Sequence, residues 1–303
     1  MKNNSSTPQN AAVHNPMVAV ALLLIAMLSL QGGAALAKSL FPLLGAQGVT
    51  ALRLGMGSII LLCYFRPWRL TMRGGNLRSL FIYGIALGCM NYTFYLAIRT
   101  VPLGVAVALE FTGPLAVAMF SSRRAIDFIW ILLAVTGLWF LLPIGHSVSS
   151  IDPVGACYAL IAGACWAVYI LAGKHAGNSY GPGTAALGST IGAIIFCPIG
   201  IAQAHSGFFT LDILPIGLGI ALLSSALPYS LEMMALTRLP AKTFGTLMSL
   251  EPAVAALSGI LFLGEHLTPW QWLALAAIIA ASAGSTLTAQ KRAKVEIINT
   301  EPH

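Results

Sequence analysis

The segment AIRTVP at positions 97–102 recurs as ALTRLP at positions 235–240, and this repeated pair decides the fold that the sequence predicts. The two copies lie 138 residues apart, and at the same spacing Pro114 falls on Pro252. Further matches occur at slightly shorter spacings: Lys38 with Lys174, and GVTAL (48–52) with GTAAL (183–187). The chain therefore reads as two related halves.

The composition places the chain in a membrane. Only 8% of its 303 residues are charged and 57% are hydrophobic, with a mean hydropathy of +0.84. A soluble globular protein has about 25% charged residues. The positive net charge lies in short gaps between apolar runs, which is typical of membrane-flanking cations and argues against a nucleic-acid partner.

Ten apolar runs have about the length that a membrane-spanning helix needs, which is roughly 20 residues. The runs are 17–37, 49–65, 77–98, 102–120, 128–143, 154–173, 183–203, 213–236, 243–263 and 270–288. We predict an all-α membrane protein with five helices in each half, at 17–145 and 150–289. Because five is odd, the second half enters the membrane from the opposite face. Such inverted repeats often surround the central site of a transporter.

The first run has a second interpretation as a signal peptide, because Ala35-Leu36-Ala37 resembles a cleavage site. Its apolar core is longer than the usual 7–15 residues, and the repeat gives it a partner in the second half. We therefore keep it as a helix. All but three of the 16 Lys and Arg residues lie in the two tails and the even-numbered loops, so both termini are predicted to face the cytoplasm.

Two glutamates lie deep inside predicted spans. Glu110 and Glu251 each follow the start of their run by eight residues, which at about 1.5 Å per residue places them about 12 Å into a core about 30 Å thick. A charged residue at that depth costs about 2.5–3.5 kcal/mol on insertion scales, so such residues are functional candidates. We expect one carboxyl from each half at a shared central cavity. Bracing of the helix bundle by hydrogen bonds is the alternative.

Proton coupling follows from this placement as a hypothesis. Burial disfavours the charged form of a carboxyl group, so either glutamate can exchange protons in competition with a substrate ammonium group. Each glutamate precedes a proline, Pro114 or Pro252, which removes a helix hydrogen bond and frees a carbonyl group.

Further polar side chains at similar depth are candidates for lining the cavity, although each one also fits plain helix packing: Gln31, Asn91, Tyr92, Trp166, Tyr169, Tyr229 and Ser249. Arg53 can meet a substrate carboxylate, pair with Glu110, or extend to the membrane surface. Glu232 lies close to the end of the eighth run, where extension to the surface suffices. The stripe Ala276, Ala280 and Gly284 indicates helix packing and allows a homodimer.

Enzyme chemistry has no support in the sequence. No Walker loop, GxGxxG, HExxH or GxSxG motif occurs. The five cysteines lie inside apolar runs without CxxC spacing, and the histidines show no ligand spacing, so we expect neither a metal nor a cofactor.

The sequence resembles the EamA branch of the drug/metabolite transporter superfamily, and within it the bacterial exporters of threonine and homoserine. The segments that carry the resemblance are SLQGG (29–33), AKSLFPL (37–43), 101–118, FSSRR (120–124), LPYSLEM (227–233), RLP (238–240), TFGTLMS (243–249), Glu251-Pro252 and LGEHLTP (263–269). This resemblance implies an inverted-repeat bundle with a central cavity and export of small zwitterionic amino acids, as an antiporter driven by the proton gradient. Efflux of drugs or of another metabolite is the nearest alternative. A membrane-embedded enzyme, a scaffold and a receptor are disfavoured.

Overall fold

The computed structural model of the chain describes residues 16–69, 76–120, 125–141, 151–180, 183–205, 208, 213–236 and 247–300. These residues form α-helices and contain no strand. The helices are α1 (Pro16–Ser39), α2 (Phe41–Phe65), α3 (Leu77–Ala97), α4 (Leu103–Phe120), α5 (Ala125–Leu141), α6 (Pro153–Tyr180), α7 (Gly183–Ala202), α8 (Ile213–Ala221), α9 (Leu227–Leu236), α10 (Glu251–Leu263) and α11 (Pro269–Thr300). A π-helical turn, Leu222–Ala226, joins α8 to α9.

The all-helical prediction is confirmed for the described residues. Five helices are long and apolar enough to cross a membrane: Met17–Ser39, Phe41–Arg69, Leu77–Ala97, Pro153–Gly177 and Gly183–Ala202. Five apolar helices are shorter: Leu103–Val117, Phe128–Phe140, Ile213–Ala226, Glu251–Leu263 and Pro269–Gly284. Each of the ten predicted runs overlaps one of these helices.

Three boundaries differ from the prediction. α2 starts eight residues before the predicted run because it continues through a bend at Gly45, whose φ of 72° suits glycine. The ninth run was predicted to start at Thr243, but 237–246 lie outside the described residues and α10 begins only at Glu251, after a turn at Ser249 and Leu250. The last predicted run ends at residue 288, yet α11 continues to Thr300, since its Gln, Lys and Arg residues are good helix formers.

The helices of the two halves pack against each other. α3 contacts α6 and α7, while α1 contacts α9 and the π turn, and α2 contacts α8. α4 packs on α6 and on α10, and α10 packs on α1. Gly284 closes against the ring of Trp130 on α5, so one end of the predicted small-residue stripe is used inside the chain, whereas Ala276 and Ala280 are exposed.

One end of the bundle, which we call the Lys38 end, is sealed. The Nζ of Lys38 at the end of α1 lies 2.6 Å from Oε1 of Glu265 and donates to the Val101 carbonyl at 3.1 Å. The other carboxylate oxygen of Glu265 accepts the Leu103 N–H, at the start of α4, at 2.8 Å. Beneath this network lies the main buried core, which includes Leu103–Leu109 of α4 except Gly104, together with Ile98 and Ala256.

Candidate functional site

A cavity of about 230 Å³ lies among α1, α2, α3, α4, α6, α9 and α10. Seven of the ten predicted site residues line it: Gln31, Arg53, Asn91, Glu110, Trp166, Tyr169 and Glu251. Relative to these residues, the buried core lies toward the Lys38 end of each helix. The cavity is therefore closed on that side.

Glu110 lies in the interior of α4, and its side chain is buried. Pro114 follows four residues later and has no N–H, so the Glu110 carbonyl lacks its usual helical donor. The backbone of α6 approaches this carbonyl closely at Gly163. A Cβ built on Gly163 would lie 2.6 Å from the Glu110 carbonyl oxygen. One built on Gly113 would lie 1.8 Å from the Gly163 carbonyl oxygen. The backbones of α4 and α6 thus touch beside the glutamate and fix its position.

Glu251 occupies the first turn of α10, where unpaired backbone N–H groups favour a negative charge. Its Oε1 accepts the Gln31 amide of α1 at 3.0 Å. Its Oε2 is buried and has no hydrogen-bond partner within the described part of the chain. Glu110 and Glu251 interact electrostatically with each other, and Glu110 also interacts with Arg53. The cavity lining therefore includes these two carboxyl groups together with one cation.

Arg53 does not extend to the membrane surface; it is 7% exposed and crosses from α2 to the π turn. Its Nε donates to the Ser224 hydroxyl at 2.8 Å, and its Nη2 donates to the Ser224 carbonyl at 2.8 Å. Its Nη1 donates to Oδ1 of Asn91 on α3. The guanidinium carbon lies 5.3 Å from the ring centre of Tyr95, a cation–π distance. These contacts hold the guanidinium at the cavity wall.

Aromatic side chains form another wall. The rings of Tyr169 and Tyr83 stack with centres 4.7 Å apart. Trp166 meets Phe111 of α4 edge to face, with ring centres 5.5 Å apart. The cavity surface is therefore largely apolar, with a few charged groups that orient a ligand, as in most small-molecule sites.

Three predicted residues do not take part in this arrangement. Ser249 does not line the cavity, and its hydroxyl donates to the Ser282 hydroxyl at 3.0 Å. Tyr92 follows Asn91 on the helix and so points away from the cavity; its hydroxyl donates to Gln203 at 3.4 Å and its ring packs on Phe196. The side chain of Tyr229 lies outside the described residues.

Glu232 was interpreted from the sequence as a surface residue, and that interpretation is wrong. It lines the cavity at the side away from the Lys38 end and interacts electrostatically with Glu251. Tyr95 and Met248 also line the cavity and were missed, since neither carries a charge in an apolar run.

Within the described residues, no group of three His, Cys, Asp or Glu side chains is arranged to hold a metal ion. A buried cation on one wall and two carboxyl groups on another are complementary to a zwitterion. A small molecule that carries both an ammonium and a carboxylate group can satisfy both walls.

Comparison with known proteins gives a consistent result. The pattern that defines the EamA-like transporter family matches residues 153–287. The chain is 63% identical to the threonine/homoserine exporter RhtA of Escherichia coli K12 over 91% of this chain and 94% of that protein. It is 62% identical to the threonine/homoserine exporter RhtA of Salmonella typhimurium SL1344, over 93% and 96%.

A solved crystal structure of a protein with 18% identity covers 91% of this chain and 98% of that chain, with a TM-score of 0.52. At this identity the likeness concerns the fold alone. The named relatives are exporters of one transporter family and not enzymes.

Proposed function

Because this chain belongs to the EamA-like transporter family, a family of multi-pass inner-membrane proteins, we propose that it exports threonine, homoserine and similar small amino acids from the cytoplasm. The observation that carries the proposal is the mixed-charge cavity. Arg53 offers a cation to the substrate carboxylate, and Glu110 and Glu251 face the substrate ammonium group. The names of the close relatives support this choice of cargo.

The size of the cavity favours a small metabolite over a drug. The cavity volume is about 230 Å³. Drug sites are usually about 300–1,000 Å³. The cavity therefore matches a small amino acid better than a multi-ring compound.

Exchange of protons for substrate at the glutamates provides the driving force in this proposal. The buried, unpartnered Oε2 of Glu251 is stabilised either by a proton or by a substrate ammonium group. The two occupants therefore compete. Protons that enter from the outer side displace the amino acid there, and release of protons to the cytoplasm resets the site.

Alternating access follows if the chain is an inverted repeat of ten spans with both termini in the cytoplasm. The helix contacts support a twofold relation between the halves: α3 with α6 corresponds to α1 with the α8–α9 rod, and α3 with α7 corresponds to α2 with α8. In this topology the sealed Lys38 end faces outward. The structure then represents the state that admits substrate from the cytoplasm, on the side where Glu232 lies.

Counterflow of labelled threonine in proteoliposomes tests the proposal. The purified protein should accelerate exchange of labelled for unlabelled threonine without a pH gradient, and a gradient acid on the outer side should drive net accumulation. Protein-free vesicles are the control. Absence of threonine counterflow would reject the cargo, and counterflow that ignores the gradient would reject proton coupling.

A further inference from the structure

The cation in the cavity is held from one side by a single residue of the other half. Ser224 accepts two bonds from Arg53, one through its hydroxyl and one through its carbonyl, so that Nε and Nη2 are engaged side by side. The Ser224 hydroxyl donates in turn to the Ile220 carbonyl at 2.7 Å, which fixes the direction of its lone pairs. The serine is 0% exposed. Ser224 therefore accepts both hydrogen bonds from one edge of the guanidinium in a fixed orientation.

The Ser224 carbonyl is available because of Pro228. In a regular helix this carbonyl would accept the N–H of the residue four positions later, and Pro228 has none. The helix responds by widening into the π turn Leu222–Ala226, in which the Leu227 N–H bonds to the Leu222 carbonyl. Such π turns are frequent at functional sites. Pro228 and the π turn thus leave the Ser224 carbonyl free to accept the hydrogen bond from Arg53.

Two donors of Arg53 remain uncommitted among the described contacts. The guanidinium has five N–H groups. Ser224 takes two and Asn91 takes one, which leaves one N–H on each terminal nitrogen. A carboxylate accepts a bidentate pair from such nitrogens. The guanidinium carbon lies over the Tyr95 ring, 5.3 Å from its centre.

We propose that Ser224 is a positioning residue that aims the free edge of Arg53 at the substrate carboxylate and so makes the exporter selective for compounds with an intact α-carboxylate. This inference rests on the proposed function. The inference goes beyond the proposed function because it names the residue that sets specificity. Ser224 acts through Arg53 and does not line the cavity.

The alternative is that the Arg53–Ser224 bonds only hold α2 to the α8–α9 rod. A purely structural brace and a positioning residue differ in one readout. Loss of a brace lowers the amount of folded protein or the maximal rate for every substrate. Loss of positioning weakens the binding of carboxylate-bearing substrates alone.

The first experiment compares Ser224→Ala with Ser225→Ala in proteoliposomes. Ser225 lies in the same π turn, is also buried, and packs beside Gly57, while the described hydrogen bonds of Arg53 go to Ser224 and Asn91. The readouts are the KM for threonine and the inhibition constant of threoninol, which keeps the ammonium group but lacks the carboxylate. We expect Ser224→Ala to raise the threonine KM about tenfold, as loss of one charge-assisted hydrogen bond implies, with an unchanged threoninol constant. Ser225→Ala should change neither.

The second experiment tests the role of the proline. Pro228→Ala restores an N–H that competes with Arg53 for the Ser224 carbonyl, and it should shift the threonine KM in the same direction. Pro198→Ala is the matched control, because Pro198 lies inside α7 and frees the carbonyl of Ile194, a residue that is 68% exposed. If Ser224→Ala does not fold, Ser224→Cys keeps the side-chain shape and replaces the oxygen with a weaker acceptor.

A chemical readout separates this inference from the proposed function. Arg53 should react faster with a dicarbonyl reagent in Ser224→Ala than in the unmodified sequence, as measured by mass spectrometry, whether or not threonine is the cargo. The other arginines are internal controls. An unchanged Arg53 reactivity, an unchanged threonine KM, or an equal loss of threonine and threoninol affinity would each overturn the positioning role. No counterflow with faster Arg53 labelling would overturn only the cargo.

Discussion

α4 and α10 carry the two cavity glutamates in opposite halves of the chain, and their backbones position these glutamates differently. Glu110 lies inside α4, which is helical from Leu103 to Phe120. Glu251 lies in the first turn of α10, directly after a turn at Ser249 and Leu250 that follows the helical residues Leu247 and Met248. One glutamate therefore projects from within a continuous helix, and the other lies where a helix restarts after a turn.

The difference follows from proline spacing. Pro114 and Pro252 are equivalent in the repeat, but Glu110 precedes its proline by four residues and Glu251 by one. Four residues place the freed carbonyl on the glutamate itself. One residue places the proline in the first helical turn, where its missing N–H has no intrahelical acceptor and removes no bond. The repeat equivalent of Glu110 is therefore Met248, which also lines the cavity.

The proposed repeat equivalents differ in their contacts. At the spacing of the 48–52 match, Gln31 falls on Trp166. Gln31 bonds to Glu251, whereas Trp166 packs on Phe111. A polar contact in one half thus corresponds to an aromatic contact in the other, and the cavity lining is asymmetric.

The largest expected effect is loss of driven transport. Replacing either glutamate, Glu110→Gln or Glu251→Gln, should reduce pH-gradient-driven threonine accumulation to the background of protein-free vesicles, because an amide cannot exchange a proton. The protein should still be recovered from the membrane in normal amounts. Full gradient-driven transport in both variants would break the assignment of the carboxyls to coupling.

A swap sharpens that result. The double variant Met248→Glu with Glu251→Met moves the second carboxyl group to the repeat equivalent of Glu110. We expect this variant to stay inactive because the carboxyl group no longer lies in the first turn of α10. Recovery of proton-coupled transport would show that the offset between positions 248 and 251 is unimportant.

The next effect concerns the contact that fixes Glu110. Gly163→Ala adds a methyl group 2.6 Å from the Glu110 carbonyl oxygen and should destabilise the protein by about 1–3 kcal/mol. Gly177→Ala on the same helix meets nothing within 4 Å and should be neutral or stabilising by about 0.4–1 kcal/mol. Thermal unfolding in detergent measures both, and equal midpoints would contradict the close α4–α6 contact.

A smaller effect distinguishes the two prolines. Pro114→Ala should return a donor to the Glu110 carbonyl, straighten α4 and lower the threonine export rate several-fold. Pro252→Ala should change the free energy of unfolding by less than about 0.5 kcal/mol, since its position needs no N–H. Rates and unfolding midpoints of the two variants, measured side by side, should diverge; matching behaviour would remove the proposed difference between the helices.

The smallest effect concerns Asp152, which directly precedes α6. The Thr100 hydroxyl and the N–H groups of Gly155 and Val154 bond to Asp152 and lower its pKa. Its contribution to stability is thus present above the unfolded-state value near 3.8 and is lost as the pH falls through the lower folded value. The unfolding midpoints of Asp152→Ala and the unmodified sequence should differ slightly at neutral pH and converge in strong acid. A difference that persists in acid would contradict this.

Much of the fold was predictable from the sequence, because lipid imposes long apolar runs and short polar gaps. The depth argument also brought Glu110, Glu251 and Gln31 to one cavity. Boundaries failed where glycine hides a continuing helix, as at Gly45, or where proline starts one, as at Pro252.

The site was less predictable because depth does not give direction around a helix. Asn91 and Tyr92 have the same depth, yet only Asn91 faces the cavity. Glu232 was missed because distance from a helix end was taken as closeness to water. The partner of Arg53 required a π turn, whose only sequence signal was a proline four residues beyond Ser224.

The enclosure of α4 bears on how the protein is made. Its residues Leu103–Phe111 are buried in an unbroken series, so in the finished bundle these nine residues contact protein and not lipid. The chain must nevertheless deliver this segment, with its carboxyl group, from the insertion machinery before α6 and α10 have been synthesised. We therefore expect α4 to remain shielded by the translocon or by α3 until the second half arrives, and assembly of the bundle to be completed late.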